Sequence, residues 1–140
     1  MNETTSRVGY LIKRTQMVLH NAMSEALAPQ SLTVTEFAVL TALQEEPGLS
    51  NADLARRTFV TPQSMHAVFK ELESRGLLVR HARPEHRRVL RAELTESGRA
   101  TLEKAADAVN AVEERMLGSL PDRARLRLAR ALSSCVDALI

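Results

Sequence analysis

Aromatic side chains are scarce in this chain of 140 residues, with no Trp, one Tyr and three Phe. Its core must therefore be assembled from Leu, Val, Ala and Met, which suit helices packed on helices. A single cysteine, Cys135, excludes an internal disulfide framework and a cysteine-based zinc site. No run approaches the ~20 apolar residues that a membrane span needs. The opening residues, 1–7, lack the apolar stretch of a signal peptide. There is no glycine-rich phosphate loop, no paired-carboxylate arrangement on a recognisable scaffold and no cysteine-nucleophile motif, so an enzyme is not expected. His20, His66, His81 and His86 are scattered, so neither a metal site nor a cofactor is expected. What remains is one mainly helical domain over residues 1–140, soluble, cytoplasmic and without membrane association.

The charge is unevenly spread. From Ser50 to Arg91 there are nine cations (Arg56, Arg57, Lys70, Arg75, Arg80, Arg83, Arg87, Arg88 and Arg91) against Asp53, Glu71, Glu73 and Glu85. The rest of the chain is net acidic. A basic middle between acidic ends is the footprint of a polyanion-binding centre, or else of an ordinary solvated face. Nearly all of these cations are arginines, whose planar fork suits phosphate oxygens.

Periodicity divides the chain into helices around one hairpin. Val8, Leu11, Ile12, Thr15, Leu19, Ala22, Met23 and Ala26 form a helical stripe from Arg7 to Leu27, closed by Ala28-Pro29. Thr33-x-x-Glu36 is a capping box opening a second helix, which stops at Glu46-Pro47-Gly48. Ser50 caps a short third helix. Thr61-Pro62 starts a fourth, which ends at Arg75-Gly76. The period then shifts. Residues 77–81 and 89–94 read as two strands, joined by a polar connection, Ala82 to Arg88, with a basic tip. Helical spacing returns after Gly98 with Leu102, Ala105, Ala106, Val109, Val112 and Met116. In the last helix, after Pro121-Asp122, Leu128, Leu132, Cys135 and Leu139 form a narrow seam like that of a coiled coil. A helix–turn–helix followed by a hairpin is the pattern of a winged helix.

In the fourth helix, Met65, Val68, Phe69 and Leu72 share one side and should face the core. The other side presents Gln63, Ala67, Lys70 and Ser74, flanked by Ser64 and His66, with Thr61 at its start. Short polar residues and one cation can enter a major groove, where Gln63 could bond adenine bidentately. The same residues also suit an ordinary solvent-facing helix. Arg83, Arg87 and Arg88 cluster near the hairpin tip with Glu85 as the adjacent acid. Arginine in such a place can enter a narrow minor groove.

Several motifs in order carry a resemblance over essentially the whole chain. They are Leu32-Thr33, Leu49-Ser50-Asn51-Ala52-Asp53-Leu54-Ala55, Thr61-Pro62-Gln63-Ser64, Leu72-Glu73-Ser74-Arg75-Gly76-Leu77, His86-Arg87-Arg88 and Leu94-Thr95-Glu96-Ser97-Gly98. In this order and spacing the sequence resembles the MarR family of bacterial transcription regulators. The resemblance implies a homodimer in which the first, fifth and sixth helices intertwine. Residues 33–96 would be the winged DNA-reading lobe, and residues 1–30 and 97–140 the helical dimerisation region. Two such lobes would read one pseudo-palindromic operator in double-stranded DNA, placing the protein at the nucleoid and making it a repressor. The helix from Thr61 would be the recognition helix, and Arg88 the wing-tip arginine. The family's wing commonly reads Asp-x-Arg, and here His86 stands in the Asp position. Either the wing is looser, or DNA affinity rises at mildly acidic pH as His86 becomes charged.

Leu11 on the first helix and the seam at Leu128, Leu132, Cys135 and Leu139 are the expected dimer interface. Family members bind small aromatic or phenolic anions, and Tyr10, Arg14, Met17 and His20 could supply an aromatic surface, a cation and a polar anchor for such an effector. They could equally be interface or surface residues. The rival expectation is a winged-helix module that binds protein and not DNA.

Overall fold

The computed structural model describes residues 7–83 and 86–140, with side chains at all of these except 82–83 and 86–90. In chain order the elements are α1 (Val8–Leu27), a single 3-10 turn (Ala28–Gln30), α2 (Val34–Glu45), β1 (Leu49–Ser50), α3 (Asn51–Thr58) and α4 (Pro62–Ser74). They continue with β2 (Leu78–Arg83), β3 (His86–Leu94), α5 (Glu96–Leu117) and α6 (Asp122–Leu139).

Local chemistry sets most boundaries. The Thr33 hydroxyl accepts from the Glu36 amide at 3.0 Å, and the Glu36 carboxylate accepts from the Thr33 amide at 2.8 Å, closing the expected capping box. Ser50 and Asp53 form a second box at the start of α3. Thr61 caps α4, with Pro62 in the first turn where no amide is needed. Gly76 follows at φ 71°, a left-handed conformation that glycine takes without a Cβ clash.

The sheet is three-stranded and antiparallel in the order β1-β3-β2. Two features depart from the sequence pattern. The two-residue β1 was not legible; Leu49 pairs with Ala92 and Ser50 with Arg91. The hairpin strands also run further than their apolar residues, with Arg83 paired to His86 after a register shift at Ala82. The expected connection from Ala82 to Arg88 is thus mostly strand, because a paired ladder satisfies its backbone whatever the polarity of its side chains. Pro84 and Glu85 lie outside the described residues.

The core is gathered in the middle of the chain. Leu40, Leu43, Leu54, Met65, Phe69, Leu72, Leu78 and Leu102 are fully buried between α2, α3, α4, β2 and the first half of α5. At Gly98 a Cβ would stand 2.0 Å from the Leu77 carbonyl oxygen, so the first turn of α5 can lie on the start of β2 only with glycine there. The chain ends are different. In α1 only Leu27, outside the apolar stripe, is buried, and α6 buries no residue at all. Leu11, Ile12, Leu128, Leu132 and Leu139 are exposed, as is Cys135. Arg125 holds α6 to α5 through the Glu114 carboxylate at 2.8 Å and the Leu120 carbonyl at 3.0 Å. No single described helix is long and apolar enough to cross a membrane.

Candidate nucleic-acid interface

The fourth helix is built for rigidity on one side and access on the other. Met65, Phe69 and Leu72 are buried, and Val68 packs partly against the same core. Gln63, Ser64, His66, Ala67 and Lys70 are all exposed, as is the cap Thr61. The Thr61 hydroxyl accepts from the Ser64 amide at 3.1 Å and donates to the Ser64 hydroxyl at 3.0 Å, which orients that side chain. Asn51, in the first turn of α3, donates to the Pro62 carbonyl at 3.2 Å and ties the two helix starts together.

Most of the basic residues between Ser50 and Arg91 turn out to hold this lobe in shape. Arg80 forms a bidentate pair with Glu73, at 3.1 and 2.9 Å, and its guanidinium lies over the Phe69 ring. The pairing raises the Arg80 pKa and lowers that of Glu73, in each case chiefly through the hydrogen bond between them. Arg57 bridges Glu45 and Glu46 at the end of α2. Arg75 donates to the Ser31 and Gln30 carbonyls at 2.8 and 3.2 Å, anchoring the end of α4 to the turn after α1.

Asp53 is the centre of a further cluster. Its carboxylate accepts from the Ser50 amide and hydroxyl, and pairs with Arg56 at 2.5 Å and Arg91 at 3.2 Å. The Ser50 hydrogen bonds, aided by the two guanidinium charges, hold its carboxyl below the usual carboxylate range. Through Arg91 this one side chain joins the start of α3 to the central strand of the wing. Sequence reasoning missed the bracing role, although the Ser50-x-x-Asp53 spacing was there to be read.

Lys70 has no ion-pair partner among the described residues. Arg83, Arg87 and Arg88 sit on the paired strands of the hairpin. Their side chains, and that of His86, lie outside the described residues. His81 approaches Glu93 across the hairpin at 3.8 Å. Among the described residues no group of three or more His, Cys, Asp or Glu could hold a metal ion.

The four residues considered for an effector are all exposed along α1. Met17 and His20 line an open hollow with Gln16 and Asn21, of which Tyr10 and Arg14 are not part. A more apolar cleft of about 310 Å³, between α1, α2 and α3, is lined by Met23, Val34, Phe37, Thr41, Arg57 and Thr58 among others. Sequence reasoning did not find it, because its walls come from three separate elements.

Residues 30–89 match the MarR family. The HTH-type transcriptional repressor Rv2887 of Mycobacterium tuberculosis is 43% identical over 113 residues, 81% of this chain and 81% of its own. A solved structure of that protein with salicylic acid has a TM-score of 0.76 at 39% identity, covering 93% of this chain and 96% of the other. The transcriptional repressor CouR, solved on a 23-mer DNA duplex, superposes with a TM-score of 0.89 at 32% identity, covering 97% of this chain and 96% of the other. With the capped fourth helix and the hairpin beside it, these likenesses settle the kinship: the chain belongs to the MarR family.

Proposed function

We propose that this protein is a dimeric, sequence-specific transcriptional repressor that leaves its operator when a small aromatic or phenolic ligand binds. The observation that carries the reading is the α4 start. There a capped helix, buried on one side by Met65, Phe69 and Leu72, offers Gln63, Ser64, His66, Ala67 and Lys70 to a partner. An α-helix fits the major groove, where Gln63 can bond adenine and the small Ala67 admits close approach. Lys70 and the Thr61 end then meet phosphates, and Arg83, Arg87 and Arg88 on the hairpin reach the flanking minor groove. Kinship with a repressor solved on a duplex supports this assignment.

The apolar ends of the chain support pairing. Leu11 on α1 and Leu128, Leu132, Cys135 and Leu139 on α6 stay uncovered within one chain. Apolar stripes left exposed in this way mark an interface, and a twofold partner covers them with its own copy of the same surfaces. Residues 33–96 then form the reading lobe, and 1–30 with 97–140 the dimerisation region. Two α4 helices one DNA turn apart would read an inverted repeat. The relative solved with salicylic acid supports a phenolic carboxylate as ligand class, with Tyr10, Arg14, Met17 and His20 as candidate contacts. We place the protein in the cytoplasm as a binding protein and not an enzyme.

Selection from random duplexes at low ionic strength tests the function. An enriched inverted repeat that is released on addition of salicylate fits the account. No enrichment of any sequence contradicts it.

A further inference from the structure

Neither the fold nor the helix start accounts for Phe59. The residue is 94% exposed, and it closes α3 in the left-handed conformation, at φ 59° and ψ 38°. The conformation itself is needed. The Phe59 amide returns to the Ala55 carbonyl, as does that of Val60 at 3.1 Å, and this closure turns the chain into Thr61. Glycine or asparagine takes such a position readily, whereas a bulky side chain is strained there. The position thus favours a small residue, and the sequence supplies a ring that buries nothing within its own chain. Two unfavourable features at one residue point to a partner that gains from them.

The neighbours identify the partner's chemistry. Phe59 stands two residues before the α4 cap, and two residues of chain span at most about 7 Å. The Phe59 backbone therefore lies close to the Thr61 cap, from which the surface carrying Gln63 and Ser64 begins. One turn back in α3 lies Arg56, which pairs with Asp53 yet keeps its side chain 72% exposed. An apolar ring between a cation and a polar helix start matches the wall of a DNA groove, where deoxyribose faces and thymine methyl groups lie between phosphates and base edges.

We propose that Phe59 contacts DNA, seating its ring on an apolar element of the groove wall, a thymine methyl or a deoxyribose, beside the half-site read by α4. This rests on the DNA-reading assignment of α4, and the experiment separates the two. Wild type, Phe59→Ala and Phe59→Gly are titrated against the selected duplex by fluorescence anisotropy over a salt series, with thermal melting and sedimentation of each protein alone. Both variants are expected to bind about tenfold more weakly, with an unchanged slope of log affinity against log salt because no charge is lost. Phe59→Gly is expected to melt no lower than wild type, so weaker binding is not unfolding. Replacing thymine by uracil at the half-site edges distinguishes the two sources. Wild-type affinity falls if the ring meets the methyl group and holds if it meets the sugar. Variants that bind as wild type does, or that change the oligomeric state, overturn the inference alone. A wild type that binds no duplex overturns the DNA reading beneath it.

Discussion

Asp53 shows how much one side chain can carry. It completes the α3 capping box with Ser50 and holds Arg91 of the central strand. Its carboxyl is more acidic in the folded protein than in the unfolded chain, where about 3.9 applies. Its contribution is therefore present above about pH 4 and is lost as the pH falls through the lower folded value. Asp53→Asn should cost about 1–2 kcal/mol at neutral pH. In chemical denaturation, the gap between variant and wild type should narrow steadily as the pH falls below about 4; a gap that does not narrow would remove the carboxylate charge as the cause.

Local residue chemistry of this kind was readable in the sequence, because Thr33 with Glu36, Thr61 with Pro62, and Gly76 act within a few positions. The fate of the arginines was not. Arg57, Arg75 and Arg91 meet partners 11 to 45 residues away, and a charge count cannot tell a phosphate-binding cation from one that braces a helix. On the hairpin, Arg88→Ala should weaken DNA binding and lower the log–log salt slope by about two per dimer, one for each wing. An unchanged slope takes Arg88 out of the interface.

At the scale of elements, the contact between α5 and β2 is the most sharply constrained. The Thr95 hydroxyl donates to the Gly76 carbonyl at 2.6 Å and caps the Gly98 amide at 3.0 Å, leaving no space between the Gly98 Cα and Leu77. Gly98→Ala must displace backbone, and should destabilise by about 3 kcal/mol. A chemical-denaturation midpoint equal to that of wild type would contradict the packing. The sequence displayed Gly98 as part of a motif but not why it was there, since the reason lies in a carbonyl 21 positions earlier. Helix extents followed from caps and apolar spacing. The strand lengths did not, because β1 is two residues long and the ladder beyond Ala82 runs through arginines, whose polarity suggested a loop. Phe59 escaped notice for a related reason: its left-handed backbone and its exposure both come from the fold, not from any sequence pattern.

The molecule as a whole is divided between a buried middle and uncovered ends. The core joins α2, α3, α4, the sheet and the first half of α5, while the apolar faces of α1 and α6 await cover. The α6 seam at 4-3-4 spacing was legible because a single helix carries it. What the seam packs against was not, since none of its residues is buried within its own chain. Leu128→Asp combined with Leu132→Asp should leave a folded reading lobe but give monomers in sedimentation. Because each lobe then binds alone, affinity for an inverted repeat should fall by about a hundredfold or more. A double variant that stays dimeric would place the interface elsewhere.

On the proposed reading, two protomers, each presenting α4 to one half-site, share one duplex. Analytical ultracentrifugation of the protein with its selected duplex tests it most directly. Two protomers are expected on one inverted repeat, with half-site centres about 10 base pairs apart. A single protomer bound to an asymmetric site, or no complex at low salt, would contradict it.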